Sequence, residues 1–372
     1  MDLTNAPKNI LSDDSAQKSI LAEVVELQNK LSSSSAPIEL KEDAMRTIVR
    51  LERIAKWGNY SSEFESVDKY VDWITRIPWG TLSEDNLDIN NAKQLMDSTH
   101  YGMDTIKNLI LDYLAVMQLQ KMTRRNTSSA NAPVLLFLGL QGVGKTSIAK
   151  SIAQSMGREF ARISLGAIGD VRTLRGTPRY EIDSEPGQIV KALIRTESMN
   201  PVILIDEIEK ASGNVGLLND VMAVLLEILD PEQNTTFVDH YIDHPVDLSQ
   251  VFFICTANNL GGLSAALLDR VEIIRFTSYS DEEKEVIAKQ YILPKVLKNM
   301  GLTQNHMQIQ DSVWPLLIRP VGFDAGIRQL ERNIATLTRS AARQIVGGHP
   351  TPIVVTPENV KEYVLPDQGP LS

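Results

Sequence analysis

The chain has 372 residues, a formal net charge of −10 and a single cysteine. That length allows two or three domains. The acidic balance argues against bulk nucleic-acid binding, because the one basic cluster, Lys121, Arg124 and Arg125, is short. Cys255 has no partner for an internal disulfide, and no apolar run approaches the ~20 residues of a membrane helix. The opening MDLTNAPKNILSDDS has neither a basic nor an apolar leader segment. The expectation is therefore a reducing compartment, a bacterial cytoplasm or an organelle matrix.

Residues 1–18 are polar and aperiodic, and are expected to be disordered. Ile20, Val24, Leu27 and Leu31 then step at helical spacing. The run Ser32 to Pro37 interrupts this pattern as a turn. Met45, Ile48, Leu51 and Ile54 predict a second helix, and Tyr70, Trp73 and Ile74 a third that stops before Pro78. The pattern stays helical from Asn86 to Met122, and a polar loop follows from Thr123 to Pro133. Beyond it short apolar runs alternate with helical stretches: VLLFLGL, PVILID, VFFICTAN and VEIIRF. Strand and helix in alternation predict a parallel sheet with helices on both faces. From Ser280 the chain reads as helical, with no strand until IVVT at 353–356.

Chemistry concentrates in five places. Gly139 to Thr146, GLQGVGKT, fits G-x-x-x-x-G-K-[ST] between an apolar run and a helix. Its glycines let backbone N–H groups converge on phosphate, and the helix N-terminus adds a favourable dipole. Lys145 would bridge the β- and γ-phosphates, and the Thr146 hydroxyl would ligate Mg²⁺. In PVILIDEIEK a buried strand ends in Asp206, for the metal shell, and Glu207, to activate water. In VFFICTANN another strand ends in Asn258, whose amide can position that water. Arg270, in LLDR, can act as an arginine finger. Arg328, in GIRQLER, can return to the phosphates from the helical C-terminal part. Cys255 reads as a buried, inert thiol.

Longer strings carry a resemblance. YVDWITRIPWG, STHYGMDTIKNLILDYLAV, EILDPEQNTTFVDHY and VVTPENVKEYV are similar to segments of Lon, the ATP-dependent protease of the AAA+ class. The similarity runs from about Lys41 to Val364. It implies an α/β P-loop AAA+ domain with a parallel sheet, preceded by a helical N-terminal segment and followed by a small helical lid. The corresponding boundaries are 1–95, 96–278 for the nucleotide-binding domain, 279–346 for the lid, and 347–372 for a short strand, helix and tail. It implies ATP and Mg²⁺ as ligands, with Gly139, Leu140, Gln141, Gly142, Val143, Gly144, Lys145 and Thr146 as Walker A and Asp206 and Glu207 as Walker B. Asn258 matches the family's sensor asparagine, Arg270 its finger acting in trans, and Arg328 its second sensor. His100 and Tyr101 fall where members contact the adenine side. Members form hexameric rings that thread unfolded protein.

The departures shape the functional expectation. Nothing resembles the Ser–Lys proteolytic domain or the β-rich N-terminal domain. Gln141 stands where the family usually has Pro. In the pore loop, Arg175 to Gly187, Tyr180 is displaced by one position and Glu181 falls at the aromatic position. GNVGLLNDVMAVLLE lacks the usual Gly-Asp-Pro, which puts a second substrate loop in doubt. The leading expectation is a Lon-like ATPase that unfolds or remodels misfolded or unfolded proteins, without peptidase activity, as a homo-hexamer. The alternatives are a nucleotide-binding adaptor in mixed rings with full-length Lon-like subunits, or a fragment of one.

Overall fold

A computed structural model describes residues 11–55, 62–123, 133–167, 171–210, 215–319 and 326–363. The clustered basic Arg124 and Arg125, and Gly213 and Asn214 of the second loop, lie outside them. A five-stranded sheet is ordered β2-β3-β6-β1-β7, from Phe160–Ser164 (β2), Val202–Asp206 (β3), Phe252–Ala257 (β6), Val134–Leu138 (β1) and Val271–Arg275 (β7). The central pairings are parallel, with Leu136 level with Cys255 on one side and Ile273 on the other. β1, β3 and β6 are buried at every position, which is why they read as unbroken apolar runs. β2 was not anticipated: FARIS interleaves exposed Arg162 with buried Ala161 and Ile163 and carries no such run.

The chain divides into two compact units that alternate along the sequence. One comprises Met1–Glu84, Glu159–Ile203 and Lys210–Phe253. It opens with α1 (Leu11–Ser33), α2 (Ile38–Ala55) and α3 (Ser62–Arg76). α1 begins inside the stretch expected to be disordered. Val24, Leu27 and Leu31 are buried as their spacing predicts. On α2 the buried stripe is Leu40, Ala44, Ile48 and Leu51, one position off Met45. α3 buries Tyr70 and Ile74 and ends two residues before Pro78, whose ring cannot continue a helix.

The same unit contains α7 (Arg172–Arg175), α8 (Gln188–Thr196), α9 (Val215–Leu229) and the short antiparallel pair β4 (Phe237–Val238) and β5 (Pro245–Val246). Between α7 and α8 runs the loop in which an aromatic was out of place. Its root is closed by Asp239, which is fully buried. Asp239 Oδ2 accepts the Gly187 N–H at 2.7 Å, and a Cβ on Gly176 would lie 2.7 Å from Oδ1. Thr177 and Glu185 also bond across the loop at 3.1 Å. From this root the loop presents Tyr180 and Ile182, 87% and 94% exposed, while Glu181 pairs with Arg172 at 2.9 Å.

The other unit comprises Asp85–Arg158, Leu204–Glu209 and Ile254–Ser372. It holds α4 (Ile89–Thr99), α5 (Asp104–Met122), α6 (Lys145–Met156) and α10 (Ala265–Leu268) around its share of the sheet. A helical cluster follows: α11 (Asp281–Ile287), a π-helical turn over 288–292, α12 (Leu293–Asn299), α13 (Trp314–Ile318), α14 (Arg328–Val346) and α15 (Val360–Tyr363). α11 starts with a reciprocal capping box between Ser280 and Glu283. Trp314, Leu317, Leu330, Ile334 and Leu337 form the centre of this core. The expectation of a strand-free stretch from Ser280 to 353 fails at one point. β8 (Met307–Ile309) pairs in parallel with β9 (Ile353–Val355), so a three-residue strand too short to show alternation ties the two ends of the cluster together.

Candidate functional site: a phosphate-binding loop faced by two acids

β1 ends at Leu138, and the chain turns through Gly139 to Gly144 into α6. Gly142 and Gly144 hold φ of +83° and +94°, which other residues rarely adopt. No side chain caps the first turn of α6. Its free N–H groups and positive dipole end make the anion site that the motif predicts. Leu140 and Gln141 are exposed at the tip, Val143 is buried, and the Val143 carbonyl accepts the Tyr279 hydroxyl at 3.0 Å. The Lys145 ammonium is gathered among oxygens: it donates to Gly139 O, to Ala257 O at 3.2 Å and to Asn258 Oδ1 at 3.0 Å. Burial lowers the Lys145 pKa, and the carboxylates of Glu209, Asp206 and Glu207 oppose that by favouring the charged form.

Opposite this loop β3 ends at Asp206. Glu207 follows with φ +59°, a strained left-handed conformation for a residue with a side chain. Thr256, buried in β6, explains how both acids are held. Its hydroxyl donates to Asp206 Oδ1 and accepts the Glu207 N–H at 2.9 Å. Gln141 Nε2 lies 3.5 Å from Glu207 Oε1, so the residue standing in for Pro reaches the second strand-end carboxylate. Asn258 closes the group from the end of β6. One side of its amide meets Lys145; the other donates to Glu209 Oε1 at 2.6 Å.

Thr256 and Glu209 were not singled out from sequence. A threonine inside an apolar strand reads as packing. Glu209 differs from its acidic neighbours only after the turn over Ile208–Lys210 carries it back toward Asn258.

The remaining sequence candidates fall in different places. Arg328 opens α14. The Ile327 N–H donates to Gly142 O at 3.0 Å, and the Arg328 side chain passes within 3.3 Å of where a Gly142 Cβ would stand. The second-sensor candidate therefore lies on the loop itself. Gly326, also unanticipated, permits this approach: a Cβ there would sit 2.7 Å from the Gln141 carbonyl. Arg270 is exposed just before β7, with Nη1 3.4 Å from Ala266 O. His100 is buried and has both ring nitrogens engaged, Nε2 with Ser147 Oγ at 2.8 Å and Nδ1 with Thr99 Oγ1 at 2.9 Å. Its side chain ties α4 to α6. Burial, then the charges of Lys107 and Lys295, hold its pKa at about 4. Tyr101 beside it is partly exposed.

The donor set fits a magnesium nucleotide. The Thr146 hydroxyl and Asp206 carboxylate are hard oxygens, and Mg²⁺ is held by one or two protein oxygens together with phosphate and water. Among the described residues no three His, Cys, Asp or Glu side chains gather into a cage that would select a softer metal.

Comparison with known proteins agrees with this geometry. Residues 135–279 match the model of the ATPase family associated with various cellular activities (AAA), and 298–353 that of the Lon protease AAA+ ATPase lid domain. The chain is similar to Lon protease of Elusimicrobium minutum, 40% identical over 96% of this chain and 41% of the relative. It is 41% identical to Lon protease 2 of Thermus thermophilus over 92% of the chain and 43% of that protein. With the mitochondrial Lon protease homolog of Mus musculus it shares 41% identity over 84% of the chain and 32% of the relative. It spans about two fifths of the length of the first two relatives. The chain belongs to the Lon family, and the residues in hand are its AAA+ ATPase and lid portion.

Proposed function

We propose that this chain hydrolyses ATP with Mg²⁺ and uses the cycle to unfold or remodel protein substrates. What supports the reading is the convergence, within one unit, of an uncapped helix start, Lys145, two strand-end acids and the Asn258 amide. Residues 139–146 bind the phosphates, and Lys145 exchanges its carbonyl partners for phosphate oxygens. Thr146 and Asp206 would hold a magnesium ion, whose charge would offset the negative charge that develops on the phosphates. Glu207 takes a proton from the attacking water, and Asn258 orients that water. Arg328 stabilises phosphoryl charge from the lid, residues 279–346, and closes it on the nucleotide-binding domain, residues 96–278. Arg270, exposed before β7, serves a neighbouring copy in a hexameric ring. His100 and Tyr101 border the adenine side, His100 as a strut with both nitrogens committed.

The exposed Tyr180 and Ile182 support a gripping role for the loop despite Glu181, which its pairing with Arg172 turns away from that task. No described helix is long and apolar enough to cross a membrane. We place the protein in a bacterial cytoplasm or an organelle matrix.

The test is steady-state ATP turnover with and without casein, alongside the mass in solution with ATP. Casein-stimulated turnover by a hexamer is the expected result. Tight nucleotide binding without turnover, by a species that captures a full-length Lon-like subunit, would overturn the unfoldase reading in favour of a regulatory partner in mixed rings.

A further inference from the structure

We propose that Glu209 is a positioning residue that sets the orientation of the Asn258 amide, and through it the placement of the Lys145 ammonium. The inference rests on the ATPase reading above and deepens it. Asn258 has one acceptor face and one donor face, and the two are spoken for by unlike partners. Its Oδ1 receives Lys145 Nζ at 3.0 Å, while its Nδ2 donates to Glu209 Oε1 at 2.6 Å, a short charge-assisted bond. Turning the amide by half a revolution would set its NH₂ against an ammonium and its carbonyl against a carboxylate. Both contacts would then be repulsive, so Glu209 locks one orientation.

One further observation singles out Glu209. Its second oxygen, Oε2, is buried and has no hydrogen-bond partner, an arrangement a folded chain rarely keeps without use. Glu209 thus acts on Lys145 through the amide. When Lys145 turns to a phosphate, Asn258 stays anchored at its donor side, and its oxygen stays on the side where the lysine was. The third carboxylate of the Asp206–Glu209 turn therefore registers the sensor and leaves the chemistry of water activation to Glu207.

The test compares Glu209→Leu, which removes the acceptor, with Glu209→Gln, which keeps an acceptor oxygen and removes the charge. Three readouts are followed in the whole chain: the side-chain amide resonance of Asn258 after selective ¹⁵N-asparagine labelling, ADP affinity, and kcat against KM for ATP. The expected result for Glu209→Leu is a displaced Asn258 amide signal and a kcat lower by about ten- to a hundred-fold, the worth of one bond to a charged group. ADP affinity and KM should change less than about three-fold. Glu209→Gln should keep the amide signal close to that of the parent and recover part of kcat. An Asn258 signal unmoved in Glu209→Leu overturns the inference, as does a loss carried entirely by KM. If Glu209→Leu does not fold, Glu209→Gln decides: an amide signal displaced as far as that of free asparagine overturns it. Should the parent chain bind nucleotide without turning it over, the ATPase reading fails, while the amide resonance still tests the role of Glu209.

Discussion

The Thr256 hydroxyl donates to the Asp206 carboxylate and at the same oxygen receives the backbone N–H that follows it, that of Glu207, at 2.9 Å. One buried side chain thereby fixes the Asp206 carboxylate and the left-handed backbone of Glu207. Thr256→Val conserves shape and removes both bonds. It leaves an N–H and a carboxylate oxygen short of a partner, at about 1–3 kcal/mol each. The expected outcome is a lower midpoint in urea and ATP turnover reduced at least about ten-fold. Unchanged turnover with a lowered midpoint would assign Thr256 to packing alone.

On the proposed mechanism, Lys145 and Glu207 separate binding from chemistry. Lys145→Ala should abolish measurable binding of a fluorescent ATP analogue. Glu207→Gln should bind it as the parent does and lose turnover by roughly 10²–10⁴-fold, the usual share of a general base. Parent-like turnover in either variant contradicts the site.

Gly326 tests the contact of the start of α14 with the phosphate loop. A Cβ at this position meets Gln141 O at 2.7 Å and Gly142 Cα at 2.8 Å, and neither is a flexible side chain. Gly326→Ala should cost about 1–3 kcal/mol, as overpacking does. It should also weaken ATP binding about ten-fold by displacing Arg328, as titration calorimetry would show. Equal affinity would mean that Arg328 does not act at the phosphates.

Two buried groups oppose one another in acid. His100 has its pKa lowered to about 4, so the unfolded chain binds more protons below the ordinary 6.5. The stability it contributes is complete above pH 6.5 and is lost as pH falls toward 4, by about 3 kcal/mol at most. Burial raises Asp239 to about 6, against the bonds it accepts from Gly187, Ile242 and Tyr241. Its contribution is complete below 3.8 and is lost as pH rises through 6. Between about pH 4 and 6 the two slopes cancel. Urea midpoints from pH 4 to 7 should fall more gently toward acid in His100→Asn than in the parent, and more steeply in Asp239→Asn. Parallel curves for all three would contradict both assignments.

Burial also pushes the Cys255 thiol up to about 12. The folded chain should not react with a thiol reagent at pH 8, and the reagent should titrate one thiol after denaturation. Labelling at the rate of free cysteine would place Cys255 at the surface.

How much was legible follows from how each signal is encoded. The phosphate loop, β1, β3, β6 and β7 are local: a fixed spacing of glycines, or an apolar run long enough to fill a buried strand. β2 and β8 were not legible, since FARIS alternates with an arginine and MQI is three residues long. Lys145, Asp206, Glu207 and Asn258 could be named because each ends or follows a readable element. Thr256, Glu209 and Gly326 could not, because their importance lies in partners 50, 49 and 184 residues away. His100 was placed at the nucleotide by resemblance. The structure adds that its nitrogens are already occupied by Thr99 and Ser147.

The path of the chain between its two units has a consequence for synthesis. It crosses from one to the other after residues 84, 158, 203, 209 and 253. Each unit therefore waits for sequence that emerges late. The helices at the start cannot complete their unit until β6 begins, and the phosphate loop is made long before the Gly326 and Arg328 that cover it. A ribosome paused between residues 158 and 253 holds two incomplete units. The chain would then itself depend on protection while it is being made.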